Sequence, residues 1–363
     1  MGELPARNLY YSISGVSALV GRTLTVDQWA REFRVPNRKV PGTFLTGEDV
    51  HRITGIEGKS WDPELFGDFS RIIAVGREAL QNAQVSPQQI DQVIVATSTP
   101  YEIALDSDAF RLLRGLRIPD HVAPIQLCAG CAGMARAMTL ASHLDARRIL
   151  IVSYEISSLY MMSPVYRYNT THPKKDSLWM SPALFSDGAA AVVLCRDADA
   201  AGCVVYSRDS LSFGDGPGFE DPLIHYPGGG GLHPPGTPGS DELACYGMSG
   251  DAVKQYYLKG MMLNHEDLAR ARPAYFQESR RIYTHQASPR LVDSFIDEFS
   301  CRHSIPRERF STNARIYGNL VIPSTMKMLY DDLVASEVKA GDQICVSVVG
   351  AGPERGAFSV AVA

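Results

Sequence analysis

At 363 residues, with 45% hydrophobic and 21% charged side chains, the chain is long enough for two packed cores or one large duplicated one. A net charge of −5 and an isoelectric point near 6.0 speak against a general nucleic-acid surface, and no run of eighteen apolar residues offers a membrane span. The start, Met1-Gly-Glu-Leu-Pro-Ala-Arg, lacks a secretion-signal pattern, and the seven cysteines are scattered through apolar segments, so a soluble cytoplasmic protein without a disulfide framework is expected.

Helical and strand-like patterns alternate along the chain. The apolar spacing predicts a helix over 69–83 and a buried strand over 92–97. A strand over 122–127, a helix over 132–144 and a strand over 148–154 make a strand, helix, strand unit, and 185–194 reads as a turn running into a further strand. A long irregular stretch follows over 213–245, rich in Gly and Pro. Beyond it come helices over 249–264, 289–301 and 319–335, with strands over 343–349 and 357–362. Residues 79–90 echo 295–310 in length and pattern, which suggests two similar α/β halves, 1–200 and 201–363, sharing one cleft.

Four places carry polar chemistry. Cys131 falls between the strand over 122–127 and the start of the next helix. The free N–H groups of a helix start favour a thiolate, so Cys131 is a candidate nucleophile; the alternative is a small residue where strand and helix pack. His285 follows a short apolar run at a predicted strand end, where α/β proteins place their sites, or else is satisfied at a loop surface. Asn319, in Tyr317-Gly-Asn, stands at a predicted helix start, where the plain reading is a cap. Val349-Gly-Ala-Gly-Pro353 is either a plain turn or a place where backbone N–H groups approach a ligand. Cys128 and Cys131 have redox or half-zinc-site spacing, but no second Cys or His pair accompanies them, and Cys128 is expected back in the strand.

The order of these segments resembles the β-ketoacyl-ACP synthase III family. Ala129-Gly-Cys131-Ala-Gly-Met134 is similar to its Ala-Ala-Cys-Ala-Gly-Phe motif, His285-Gln-Ala-Ser to His-Gln-Ala-Asn, and Gly318-Asn319 to Gly-Asn. Ile53-Thr-Gly-Ile56, Phe185-Ser-Asp-Gly-Ala and Val349-Gly-Ala-Gly match further signatures. The resemblance implies a thiolase-like fold, two similar α/β halves in a five-layered arrangement, usually a homodimer, with no permanently bound cofactor and no metal. It implies that Cys131 takes an acyl group from acyl-CoA or an acyl carrier protein, that His285 and Asn319 support decarboxylative condensation with a malonyl- or β-ketoacyl-type thioester, and that the N–H groups of Cys131 and Ala351 hold an oxyanion. Acyl transfer to an alcohol or amine, or a non-catalytic subunit role, are the alternatives.

The chain departs from the family where CoA is held: Asp49, Ile53 and Trp179 stand where Trp and Arg are usual. Arg290 matches an Arg at the carrier-binding mouth, so a carrier protein donor is as well supported as CoA; the alternative is a solvated helix residue. Glu102 falls in a loop that family dimers send toward the neighbouring site. Together the departures point to polyketide, fatty-acid-related or other secondary metabolism.

Overall fold

The computed structural model describes residues 6–37, 40–208 and 222–363; the part of the Gly/Pro-rich stretch over 213–221 lies outside the described residues. Five strands of the first half, Tyr11–Val20, Gln92–Thr97, Ile125–Cys128, Arg148–Glu155 and Gly188–Arg196, lie in the order third, second, fourth, fifth, first. The first three in that order are parallel, and the last two pair antiparallel. Gly202–Arg208, Ser279–Thr284, Phe310–Ser311, Gln343–Gly350 and Glu354–Val362 repeat both the order and the directions. The two sets join where Ala361 and Val362 run parallel to Ser12 and Ile13, and the short strand Arg7–Leu9 pairs with Gly202–Arg208 of the second set.

Helices sandwich these sets in five layers. Gly133–Ala141 packs between them, touching Gln92–Thr97 on one side and Gly202–Arg208, Gln343–Gly350 and Glu354–Val362 on the other; Pro323–Val334 is its counterpart over Tyr11–Val20 and Gly188–Arg196. Ser70–Asn82 and Ser107–Leu116 cover the outer face of the first set, and Gly250–Ala271 with Pro289–His303 that of the second. The strands are apolar on both faces, as in Val93, Ile94 and Val95, because each face meets helices. Small residues set the close approaches: a Cβ on Gly15 would stand 2.3 Å from the Ala79 carbonyl oxygen. This thiolase-like architecture is the one the sequence implies.

Several boundaries differ from the sequence reading. The strand over 122–127 begins only at Ile125, since Val122 turns back to the Pro119 carbonyl and Pro124 has no N–H for a ladder. It ends on Cys128, which is exposed rather than set back. The helix over 132–144 spans Gly133–Ala141, and the one over 319–335 is Pro323–Val334. Asn319 is therefore not a cap; it bridges Phe185 in parallel fashion four residues before Pro323 starts the helix. Residues 79–90 and 295–310 do share a form, a helix end, a 3-10 turn and a strand. They precede the second strand of one set and the third of the other, so the echo is local and not a duplicated position.

Candidate active site

Cys131 sits in the turn between Ile125–Cys128 and Gly133–Ala141, buried, with Ala132 as the helix cap. Gly350 lets the turn after Gln343–Gly350 lie against it: a Cβ there would meet Ala132 N and Cβ at 3.0 Å. Two cavities open from Cys131. One of about 60 Å³ is lined by Cys131, His285, Asn319, Tyr257 and Ala351; the other, of about 370 Å³, is lined by Cys131, Ala351, Ser98, Cys128, Arg136 and Tyr226 among others. The structure thus brings together Cys131 from the first half and His285, Asn319 and Ala351 from the second.

His285 follows the last residue of Ser279–Thr284, and its N–H bonds the Ser347 carbonyl at 2.9 Å, so it continues the sheet into the cavity. The Tyr257 hydroxyl donates to the His285 carbonyl at 2.7 Å, with the two rings 5.5 Å apart. Both imidazole nitrogens are buried without a hydrogen-bond partner among the described residues. Burial holds the imidazole neutral, pushed down to about 3.

Gln286 ties this loop to the next. Its amide donates to the Thr284 carbonyl at 2.9 Å, and its oxygen accepts from the N–H groups of Asn313 and Ala314 at 2.9 and 3.1 Å. These begin the short helix Ala314–Tyr317 that leads to Gly318 and Asn319. Gly318 has φ of 73°, and a Cβ there would fall 2.3 Å from the Ser186 hydroxyl, so the approach needs glycine. The Asn319 Oδ1 accepts from the Val321 N–H at 2.8 Å, which turns Nδ2 toward the Cys131 sulfur and, at 3.4 Å, the Ala287 carbonyl. Val321 is a β-branched residue at φ of 58°, a strained backbone that this bond helps to hold.

The buried Lys59 secures the other side. It donates to the carbonyls of Ala183 at 3.1 Å and Phe185 at 2.7 Å and to the Ser186 hydroxyl at 3.2 Å, beneath Trp29 and Trp61. Phe185 in turn bridges Asn319 and lines both cavities. Burial lowers the ammonium to about 7, against the attraction of Asp187.

The helix start does not by itself make Cys131 a thiolate. Burial pushes the Cys131 thiol well above its ordinary value, and the buried carboxyl of Glu155 adds to the rise; its own backbone N–H and the Asn319 amide only partly oppose it. The helix start is not enough, because it is set against full desolvation. Glu155, itself raised to about 7 chiefly by burial, accepts from Ser98 N, Ser98 Oγ and Thr99 Oγ1 at 3.0, 2.7 and 2.9 Å. At rest, therefore, thiol and imidazole are both uncharged.

Other sequence candidates fall outside the cavities. Arg290 is exposed on the first turn of Pro289–His303, packed near Gly55, between Ser288 and Leu291 that line the small cavity. Glu102 is exposed and lies 3.6 Å from Arg111. Asp49 closes a capping box with Thr46, Ile53 is exposed, and Trp179 caps Met180–Leu184. Cys128 lines the larger cavity together with Cys131, so the two cysteines face one space. Tyr257, Lys59, Glu155 and the Arg136–Glu354 pair went unread in the sequence; only Arg136 and Glu155 offered a signal, a lone charge in a mainly apolar stretch. Among the described residues no group of three or more His, Cys, Asp or Glu is placed to hold a metal ion, and no helix is long and apolar enough to cross a membrane.

No family model matches the sequence. The chain is 27% identical over 293 residues to the β-ketoacyl-[acyl-carrier-protein] synthase III of Rhodopirellula baltica, across 75% of this chain and 78% of that protein. The solved 3-oxoacyl-[acyl-carrier-protein] synthase III of Aquifex aeolicus superposes with a TM-score of 0.73 at 21% identity, covering 97% of this chain and 99% of that one. Cerulenin-bound OleA of Xanthomonas campestris gives 0.75 at 16%, covering 98% of each chain. The chain has homologues named synthase III along most of its length and shares their fold.

Proposed function

We propose that this chain is a β-ketoacyl synthase III-like condensing enzyme, which loads an acyl group from acyl-CoA or an acyl carrier protein onto Cys131 and joins it to a malonyl- or β-ketoacyl-type thioester. The observation that carries this is the convergence of Cys131, His285, Asn319 and Ala351 on one buried cavity from both halves of the fold. The synthase III homologues support it.

The chemistry starts from a neutral pair. As sulfur attacks the thioester carbonyl, the thiol proton passes to the free imidazole of His285, the new carbon–sulfur bond forms, and the departing carrier thiol takes a proton back. A malonyl partner then breaks its bond to carbon dioxide, leaving the electron pair as an enolate. His285, in the Nε2–H tautomer, and Asn319 Nδ2 donate to the enolate oxygen. Its carbon attacks the acyl carbonyl and forms the carbon–carbon bond, the N–H groups of Cys131 and Ala351 hold the oxyanion, and this intermediate then collapses to expel the Cys131 sulfur, which takes up a proton from solvent to return to the thiol. Neutral donors suit this step, since a charged imidazolium in so dry a site is expensive.

Several finer readings belong to the same proposal. The chain divides near residue 200 into two halves, and works in the cytoplasm as a homodimer. Ile125–Cys128 supports the dimer: it pairs on one side only, and Ile103, Leu105 and Phe110 are exposed in the neighbouring segment. Arg290 meets the phosphate or acidic face of a carrier, and the pathway is polyketide- or fatty-acid-related. Intact-protein mass spectrometry with acyl-CoA and acyl-carrier substrates is expected to show acylation at Cys131, and carbon dioxide is expected from a malonyl partner. Acylation without carbon dioxide would favour transfer to an alcohol or amine; an unmodified Cys131, with activity kept in Cys131→Ala, would favour a non-catalytic subunit.

A further inference from the structure

The larger cavity beside Cys131 is not a purely apolar slot. Met161, Ile224 and Val321 line part of it, but Arg136 and Glu354 face it from the helix Gly133–Ala141 and the strand Glu354–Val362. Glu354, its side chain only 5% exposed, accepts from Arg136 Nη2, from Arg136 Nε at 3.2 Å and from the Tyr206 hydroxyl. Arg136 Nη1 donates to the Cys128 carbonyl at 3.2 Å, and its side chain keeps 34% exposure on an otherwise buried stretch of helix. The buried Glu354 carboxylate thus fixes a partly open guanidinium on the wall of the cavity that holds the acyl-accepting sulfur, where it bears on what enters.

The donor count supplies one. A guanidinium has five N–H groups, and Glu354 with the Cys128 carbonyl takes three. Tyr206, also at hydrogen-bond range, accounts for one more at most. At least one donor is left for a ligand. Glu354 cancels the Arg136 charge, so the local field favours no net anion. A plain hydrocarbon chain would strip water from that donor without replacing it, whereas a neutral oxygen would accept from it. Arg136 is five residues beyond Cys131 and lines the same cavity from the helix that begins at Gly133, so the oxygen lies along the acyl chain and not at the thioester itself.

We infer that this cavity selects acyl groups bearing a neutral hydroxyl or keto oxygen along the chain, with Arg136 as the specificity-determining donor. This rests on the reading that Cys131 carries the acyl group. The test is a competition among octanoyl-CoA, 5-hydroxyoctanoyl-CoA and the carboxylate-ended suberyl-CoA, followed as mass increments on Cys131 of the wild-type protein. The hydroxylated chain is expected to load about tenfold faster than octanoyl, the factor one hydrogen bond supplies. The double variant Arg136→Met with Glu354→Gln, which removes both charges together, is expected to erase that preference while still acylating. Equal or faster loading of octanoyl, a preference for suberyl, or a hydroxyl preference that survives in the double variant overturns the inference and leaves Cys131 acylation standing. No increment on Cys131 with any thioester overturns both. The wild-type competition decides the matter even if the double variant does not fold.

Discussion

Replacing Gln286 by Leu removes a buried side chain that ties the His285 loop to the segment delivering Asn319. The carboxamide oxygen accepts from two buried backbone donors, Asn313 N and Ala314 N, and its amide satisfies the Thr284 carbonyl. Each donor left without an acceptor costs about 1–3 kcal/mol. Leucine has a similar volume and returns about 1 kcal/mol by its apolar burial. The net loss is about 1–5 kcal/mol, a large share of the stability of an ordinary domain. Urea unfolding followed by the fluorescence of Trp29, Trp61 and Trp179 measures it. Activity falls further than stability explains, because His285 and Asn319 are placed by this clamp, and a displacement of about 1 Å costs on the order of a hundredfold. The drop is expected both in the acylation of Cys131, where His285 takes the thiol proton, and in carbon dioxide release, where His285 and Asn319 hold the enolate. A variant within about 0.5 kcal/mol of the parent, with condensation unchanged, would refute the argument.

His285 is neutral in the native protein down to about pH 3 but titrates near its ordinary 6.5 when unfolded. The unfolded chain thus binds a proton that the native one refuses; this stability is full above pH 6.5 and is lost as pH falls toward 3, about 3 kcal/mol by pH 4.5. His285→Asn should flatten the acid arm of the stability curve by that amount, read as the difference between variants at pH 4.5 and 7.5. Lys59 gives the opposite window: lowered to about 7 from 10.5, it makes the native state gain stability as pH rises from 7 toward 10.5. Lys59→Met should remove about 2 kcal/mol of that rise between pH 7 and 8.5, and an unchanged slope would show that the ammonium is not desolvated. Gly350→Ala drives a Cβ to 3.0 Å from Ala132, which is expected to cost about 1–3 kcal/mol and to slow Cys131 acylation at least tenfold; normal single-turnover rates would exclude a tight oxyanion turn. Gly318→Ala, strained at φ of 73° and facing Ser186, should lose about 1–3 kcal/mol in a thermal or urea assay.

The fold was legible where periodicity was strong. Gln92–Thr97 and the helix starting at Pro289 fall where the pattern puts them. Tyr11–Val20 escaped because its faces are both buried and its register shifts between Ile13 and Gly15, so no alternation marks it. Gly202–Arg208 escaped for a related reason, lying between Glu354–Val362 and Arg7–Leu9 with a mainly buried front. Of the site, Cys131, His285 and Asn319 could be named because each sits in a short motif. Their environment could not: desolvation depends on what packs over a residue, so a cysteine that seems primed by its helix start turns out to be held protonated. Judged alone Asn319 reads as a cap, whereas its main chain is placed by Phe185, more than a hundred residues away in sequence.

That bridge bears on how the protein turns over. The main chain of Asn319 is hydrogen-bonded to Leu184 and Ser186 of the first half, while its amide leans on Ala287 of the second. Any swinging apart of the halves would break backbone bonds at the very point where the reacting groups meet. These bonds make the site a fixed jig spanning both halves, so substrates are expected to thread into a standing frame.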